Sequence, residues 1–208
     1  EKSDTGLFRL PVDRVFTMKG FGTVVTGTVT SGQIRVGDTV QILPGPDKAK
    51  IRGIQIHNQP AETAEAAQRS AINLQGTEKS SIERGCVIAG IGAFEPTRRL
   101  DVIFDYLPEA GKKIKNRTIV RFHTGTSEIM ARLILLDRDE LEPGQRAYAQ
   151  INLEAPVAAA ARDRFVIRRY SPVTTIGGGL IVDPLARKHK RHDDTVMREF
   201  SILHDGSD

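Results

Sequence analysis

Short runs of apolar and β-branched residues, separated by glycine-containing turns, make up most of this sequence. In the clearest example, residues 10–38, valine and threonine are concentrated on both sides of Gly27. Because β-branched side chains favour extended backbone, these runs indicate strands. Turn-forming pairs follow at Ser31-Gly32 and Gly37-Asp38, a spacing typical of tightly connected antiparallel strands. The pattern predicts a small antiparallel β-barrel.

A second series of strand-like runs follows a stretch rich in glycine, proline and small residues, residues 90–98. A chain of 208 residues has room for two domains of about a hundred residues each. We therefore expect an all-β chain of two consecutive antiparallel β-barrels, residues 1–93 and 94–184. A short, basic and partly helical linker, residues 185–208, is expected to follow them.

The first strand presents a cation among apolar neighbours. On an ideal strand with a period of two, one face would carry Phe8, Leu10, Val12, Arg14, Phe16 and Met18. A guanidinium on such a face must lie at the barrel mouth, pair with a carboxylate or bind an anion. A β-bulge near Pro11 is the alternative, because it would shift the phase of the strand.

The predicted linker opens with a run of like charges. Residues 186–192 read Ala-Arg-Lys-His-Lys-Arg-His, and Asp193 is positioned to cap a helix through Val196, Phe200 and Leu203. Two interpretations stay open for the basic run. It could contact RNA or the ribosome, or it could be a hinge that is extended by its own repulsion. The hinge is slightly favoured.

Composition narrows the possible functions. The formal net charge of +4 permits a polyanionic partner without requiring one. The lone Cys86 cannot form an internal disulfide and suits a reducing compartment. Long apolar runs are missing, so we expect a cytoplasmic protein without a membrane partner.

Common signatures of catalysis and cofactor binding are missing from the sequence. A phosphate-binding G-x-x-x-x-G-K-[ST] loop does not occur, and Gly20-x-Gly22 precedes a strand rather than the helix of a dinucleotide site. One cysteine and scattered histidines cannot build a closed zinc site. The sequence therefore predicts no catalytic residue, no metal site and no cofactor for this chain.

Two separated motifs resemble one family of translation factors. Residues 10–38, LPVDRVFTMKGFGTVVTGTVTSGQIRVGD, resemble the second domain of translational GTPases of the elongation factor Tu class. That domain is a β-barrel which holds the aminoacylated 3′ end of a tRNA. The pair Asp13-Arg14, and RYSPVTTIGGGLIVDP at residues 169–184, resemble the selenocysteine-specific elongation factors of the SelB family. The chain would then be barrel domains two and three of such a factor.

The resemblance implies three groups of site residues. The pocket for the esterified selenocysteine would contain Asp13, Arg14 and Arg69. The terminal nucleotide of the tRNA would lie against Met18, Gly20, Val24, Thr26, Gln55 and Ile72. The T stem of the tRNA would contact His123, Thr124, Gly125, Ser171, Pro172, Thr175 and Gly177. From the residues alone, Met18, Val24 and Ile72 are equally candidates for a barrel core.

The resemblance also implies a function. The parent protein would bind selenocysteyl-tRNA and deliver it to the ribosome, with GTP and magnesium held in a GTPase domain that this stretch lacks. Further partners would be that GTPase domain and C-terminal winged-helix domains that bind a hairpin in messenger RNA. Two alternatives remain: the barrels of another translational GTPase that carries general aminoacyl-tRNA or initiator tRNA, and a structural barrel pair that docks a protein and has no RNA site.

Overall fold

The structure is a computed structural model that describes residues 6–18, 20, 22–193, 195, 196, 198, 200 and 202. The chain divides into two compact units, Glu1–Pro96 and Thr97–Asp208. The division falls after Pro96, whereas the sequence placed the boundary after residue 93. Among the described residues, the helical segments lack the length and apolar character that crossing a bilayer requires.

The first unit is a closed barrel. Its strands are β1 (Arg9–Met18), β2 (Gly22–Thr28), β3 (Gln33–Arg35), β4 (Thr39–Leu43), β5 (Lys48–Ile56), β6 (Gln59–Ala61), β7 (Thr63–Glu65), β8 (Arg69–Gln75) and β9 (Val87–Gly90). The ring runs β4-β9-β1-β2-β8-β5 and closes where β5 pairs with β4. Strand β6 is added to β5, and β3 pairs with β7 as a separate ribbon. Aliphatic side chains such as Leu10, Val25 and Ile51 fill the interior.

A β-bulge in β1 explains why a cation follows an apolar run. Val12 pairs with Gly27 and Arg14 pairs with Thr26, so Asp13 is the extra residue. Before the bulge the alternate residues Phe8, Leu10 and Val12 point into the core. Beyond it the phase changes, so that Val15 packs on the core while Arg14 is exposed. The residues from Phe8 to Met18 therefore do not share one face, and the alternative of a bulge near Pro11 is confirmed, with the extra residue two positions beyond it. A Cβ on Gly27 would lie 2.2 Å from the carbonyl oxygen of Pro11, so the strands approach too closely there for a side chain.

The second unit is also a closed barrel. Its strands are β10 (Thr97–Tyr106), β11 (Ile114–Lys115), β12 (Ile119–Thr124), β13 (Ser127–Leu135), β14 (Glu140–Leu141), β15 (Arg146–Val157), β16 (Arg164–Arg169) and β17 (Thr175–Asp183). The ring order is β10-β15-β13-β12-β16-β17. Phe122 and Phe165 stack inside it with ring centroids 5.2 Å apart. Both rings confirm the predicted all-β fold with two antiparallel barrels.

The segment after β17 packs against the second barrel. Val196 and Phe200, which are helical, cluster with Leu136 and partly buried Ile134 and Tyr148. The backbone N–H of Thr195 donates to Asp193 Oδ1 at 3.0 Å, which is the predicted capping contact. The basic run 187–192 does not agree with the interpretation as an extended hinge, because Arg191 donates to the carbonyl oxygen of Leu135 at 2.9 Å. Leu203 lies outside the described residues.

Candidate functional site

The bulge residue Asp13 is the centre of a polar cluster on the outer wall of the first barrel. Its Oδ1 accepts from Thr26 Oγ1 at 2.7 Å and from Arg69 Nη2 at 3.2 Å, and its Oδ2 accepts from Arg69 Nη1. Asp13, Thr26 and Arg69 lie on the adjacent strands β1, β2 and β8. The bidentate geometry fixes the plane of the guanidinium relative to the carboxylate.

These contacts set the ionisation of the pair. Burial alone would raise the pKa of Asp13, but hydrogen bonds from Arg69 and Thr26 and the charges of Arg69 and Arg14 lower it below the ordinary value. The same bond to Asp13 raises the pKa of Arg69. The carboxylate is therefore ionised at neutral pH and offsets the charge of Arg69.

Arg14 is the second cation of this cluster and differs from Arg69. It is exposed, lies opposite Thr26 across the β1–β2 pair, and attracts Asp13 through space. Within the described part of the chain, no hydrogen bond or ion pair engages its guanidinium. A guanidinium keeps its charge at any physiological pH and has donors to offer to an anion. Of the predicted pocket residues, Asp13 and Arg69 form a closed pair, and Arg14 is the cation available to a ligand.

Most residues predicted around the terminal nucleotide share the same outer wall. Directly paired residues of adjacent strands point to the same face of a sheet. Thr26 pairs with Ala71, which pairs with Gln55, and this row begins at Arg14. A parallel row runs through residues 16, 24, 73 and 53, with Phe16 opposite Val24. Met18 lies beyond it on β1, and Gly20 follows in the turn with a φ of 83°.

Ile72 is the exception among these residues. It is fully buried and belongs to the barrel core, so it faces away from the outer wall. Its neighbour Asn73 lies on the wall beside Val24, is 8% exposed, and has a buried Oδ1 without a hydrogen-bond partner among the described residues. An unsatisfied buried acceptor is costly, and the Oδ1 of Asn73 can still accept from a donor. Asn73 therefore replaces Ile72 in the candidate site.

The residues predicted to contact a T stem divide into two groups on the second barrel. His123, Thr124 and Gly125 lie at the end of β12, near the start of β16. Ser171, Pro172 and Thr175 are exposed near the other end of β16. At about 3.3 Å per residue the two groups are roughly 15 Å apart. The structure does not join them into one cluster.

Two of these residues have structural roles in the barrel. Thr124 is buried and donates through Oγ1 to the carbonyl oxygen of Arg164 at 3.2 Å. Gly177 is buried, and a Cβ there would lie 2.5 Å from Cε2 of Phe104. Both positions are therefore explained by packing.

The wall between the two groups carries cations that are not among the predicted site residues. Arg121 lies 5.7 Å from the ring centroid of Tyr170, donates to Glu128 at 2.6 Å, and pairs in register with Arg168. The Nε atoms of Arg121 and Arg168 are buried and without a partner among the described residues. The alternation of polar residues along β12 and β16 would have revealed this surface.

His123 is expected to remain neutral at pH 7. Burial is the main cause of its lowered pKa, with Arg168 and Arg121 adding to the effect and Glu128 opposing it. Because the unfolded chain then takes up a proton more readily, the second barrel should lose stability as pH falls through the ordinary histidine value of about 6.5. An NMR titration should give a midpoint below that value. A midpoint at or above it would contradict the prediction, and His123→Gln should remove this part of the pH dependence.

The comparisons with known proteins agree with the fold. Residues 22–89 match the family model described as Elongation factor Tu domain 2. Residues 102–188 match the model described as Selenocysteine-specific elongation factor, beta-barrel domain. These matches define the class of protein: the first barrel is similar to domain 2 of elongation factor Tu, and the second is similar to the barrel domain of selenocysteine-specific elongation factors.

Similar proteins narrow that class. The chain is 47% identical over 95% of its length to the selenocysteine-specific elongation factor of Desulfomicrobium baculatum. It is 34% identical over 97% to the protein of that name from Escherichia coli (strain K12), and 32% identical over 92% to that from Haemophilus influenzae. It spans 31%, 31% and 30% of the lengths of these relatives. The resemblance is confirmed: the chain is related to the barrel region of selenocysteine-specific elongation factors.

Proposed function

We propose that the two barrels bind selenocysteyl-tRNA within a GTP-dependent elongation factor that delivers it to the ribosome. The observation that carries the proposal is the open guanidinium of Arg14 beside the closed Asp13–Arg69 pair. The cluster lies on the outer wall of a barrel of the elongation factor Tu type. The proposal concerns the whole protein, of which this chain is a part.

The chemistry of the amino acid explains why a fixed cation would discriminate. A selenol is acidic enough to be largely ionised near neutral pH, whereas the hydroxyl of serine is not. Two unit charges 4 Å apart attract by about 4 kcal/mol at an effective dielectric constant near 20. Desolvation removes part of this energy. A remainder of about 2.8 kcal/mol still corresponds to roughly a hundredfold in affinity.

The closed pair would make the pocket specific in a second way. Because both Nη atoms of Arg69 donate hydrogen bonds to Asp13, Arg69 would orient the carboxylate rather than bind the selenolate directly. The Asp13 carboxylate, ionised at neutral pH, would accept from the α-amino group of the aminoacyl ester. A neutral side chain would leave Arg14 without an anion, so the pocket would select against seryl-tRNA.

The neighbouring row of the wall would hold the terminal adenosine. Phe16 is 36% exposed and lies opposite Val24, which gives a flat apolar surface for a base. Asn73 would accept from an exocyclic amino group through its unsatisfied Oδ1. On the second barrel, the Arg121–Arg168 wall would contact the phosphates of the T stem.

The remaining parts of the proposal lie outside this chain. GTP and magnesium would bind a separate GTPase domain, which would also carry out hydrolysis, and C-terminal domains would bind a messenger RNA hairpin. The barrels themselves would bind and discriminate without catalysis and without a cofactor. The factor would act in the cytoplasm, where the ribosome is its partner.

The experiment compares two tRNAs with the same body, charged with selenocysteine or serine. Their affinities for the full-length protein with GTP are measured by filter binding over several salt concentrations. Preference for selenocysteine together with salt-dependent binding supports the proposal. Equal binding of both would indicate a general aminoacyl-tRNA or initiator-tRNA carrier. Absence of salt-dependent binding would indicate a barrel pair that docks a protein.

A further inference from the structure

The chain leaves β17 along the outer wall of the second barrel, and residues 185–193, here called the strap, are fixed to that wall. Arg191 donates through Nε to the carbonyl oxygen of Leu135 at 2.9 Å and through Nη2 to that of Arg138 at 2.6 Å. Nη2 also donates to Asp139 Oδ1 at 2.7 Å. The backbone N–H of His192 donates to the carbonyl oxygen of Leu136 at 2.8 Å. The strap thus runs beside the residues that follow β13.

A buried polar network holds the middle of the strap. Asp101 on β10 and Gln150 on β15 are paired across the wall and are 5% and 2% exposed. Gln150 Nε2 donates to Asp101 Oδ1 and to the carbonyl oxygen of Arg187, both at 2.8 Å. His189 Nε2 lies 2.5 Å from Asp101 Oδ2. We call this network, formed by Asp101, Gln150 and His189, the latch.

The burial of the latch residues Asp101 and Gln150 depends on the strap. Asp101 and Gln150 lie on the outer wall, since their strand neighbours Leu100, Val102, Ala149 and Ile151 belong to the barrel core. Burial raises the pKa of Asp101, and the charge of Asp183 adds to this, while bonds from Gln150 and His189 oppose it. A buried carboxylate is tolerated when partners satisfy its oxygens. The strap supplies one of those partners.

An apolar seal continues the contact beyond the strap. The ring of Phe200 lies 5.0 Å from that of Tyr148 and 6.4 Å, edge-on, from the imidazole of His189. Val196 and Phe200 pack with Leu136 in a cluster separate from the barrel core. Because the cluster is separate, release of the strap would leave the interior of the barrel packed.

We infer that the strap is a docking element whose latch fixes the direction in which the chain continues past the second barrel. The basic run is then not a free arm, because two of its side chains, His189 and Arg191, are engaged with the wall. Arg187 contributes its backbone carbonyl to the latch. The element has two states, docked and released, and the latch sets the balance between them. This inference does not depend on the proposed tRNA function.

Limited proteolysis of the full-length protein tests the inference, because the strap contains four trypsin sites at Arg187, Lys188, Lys190 and Arg191. Docked backbone resists cleavage, and cleavage reports the population of the open state. Cleavage at these bonds, followed by mass spectrometry, should be slow in the parent protein. In His189→Ala it should accelerate by about tenfold or more, because the buried carboxylate of Asp101 loses the partner of its Oδ2 atom.

The matched control is His192→Asn, because this exposed histidine lies three residues further along the strap. Its φ is 56°, a conformation that asparagine tolerates. This variant should be cleaved at the parent's rate. Phe200→Ala removes the apolar seal, including its edge contact with His189, but keeps the hydrogen bonds of the latch, and it should also accelerate cleavage.

Three outcomes would overturn the inference. The first is equal cleavage of His189→Ala and the parent protein, and the second is rapid cleavage of the strap in the parent. The third is loss of the barrel's folded signal in His189→Ala, because the strap would then be inseparable from the fold. Hydrogen exchange gives an independent measurement: the amide of His192 should be protected in the parent and should exchange faster in His189→Ala.

Discussion

Replacing Arg14 with alanine is expected to abolish the preference for selenocysteyl-tRNA over seryl-tRNA, a loss of roughly a hundredfold or about 2.8 kcal/mol. The reason is that no hydrogen bond or ion pair within the described residues engages the guanidinium of Arg14, while the charge of Arg69 is offset by Asp13. Affinity for seryl-tRNA should change little, since a neutral hydroxyl gains little from the charge. The measurement is the ratio of the two affinities in the full-length protein with GTP.

Two further variants make this result specific to the position of the charge. Arg52 is exposed on β5 of the same barrel, and Arg52→Ala should preserve the preference while lowering the overall charge equally. Arg14→Lys keeps the charge but loses the planar guanidinium, so it should retain part of the preference. An unchanged affinity ratio in Arg14→Ala would remove Arg14 from the pocket. Because the side chain is exposed, the thermal stability of the variant should match that of the parent.

The second large effect concerns stability. Ile72→Ala is expected to lower the free energy of unfolding by about 2–5 kcal/mol, because it deletes a fully enclosed side chain and leaves a cavity. Denaturant unfolding of the full-length protein, observed at the first barrel, measures this loss. The alanine variant should otherwise bind tRNA with unchanged specificity under conditions where it is folded.

Asn73→Ala is the matched control for Ile72, since it changes the next residue on the same strand. It should cost little stability, because removing the side chain also removes an unsatisfied buried oxygen. It should instead weaken binding of the 3′ end of the tRNA. If Ile72→Ala altered tRNA binding and left stability intact, the register of β8 given above would be wrong.

Much of the fold could be read from the sequence because its signals are local. Valine and threonine in β2 and the turn at Ser31-Gly32 each act within a few residues. The bulge at Asp13 was not predictable in position, because one inserted residue changes the facing of all later side chains without changing their identity. Its consequence is that Asp13 points towards Arg69 on β8, a contact between residues far apart in the chain.

Prediction of the candidate site from the sequence has a different limit, because some of its features depend on contacts between distant strands. The face of Ile72 could have been predicted, because on an ideal strand Ile72 and Leu74 share one face, whereas Asn73 and Gln75 share the other with Arg69. The requirement for glycine at position 177 could not have been predicted, because it arises from the ring of Phe104 on another strand, which a Cβ at Gly177 would contact too closely. Repulsion within the basic run predicted a hinge, but Asp101 and Asp139 of the barrel contact the side chains of His189 and Arg191. That pairing exists only in the folded chain.

The way in which each ring closes has a consequence for synthesis. In the first barrel β1 pairs with β9, and in the second β10 pairs with β17. The first strand of each barrel can therefore form this pairing only after the last strand has left the ribosome. Loop-closure entropy makes such distant pairing slow. The nascent chain would carry an open seam during translation, and a truncation before Val87 or Thr175 would make that seam permanent.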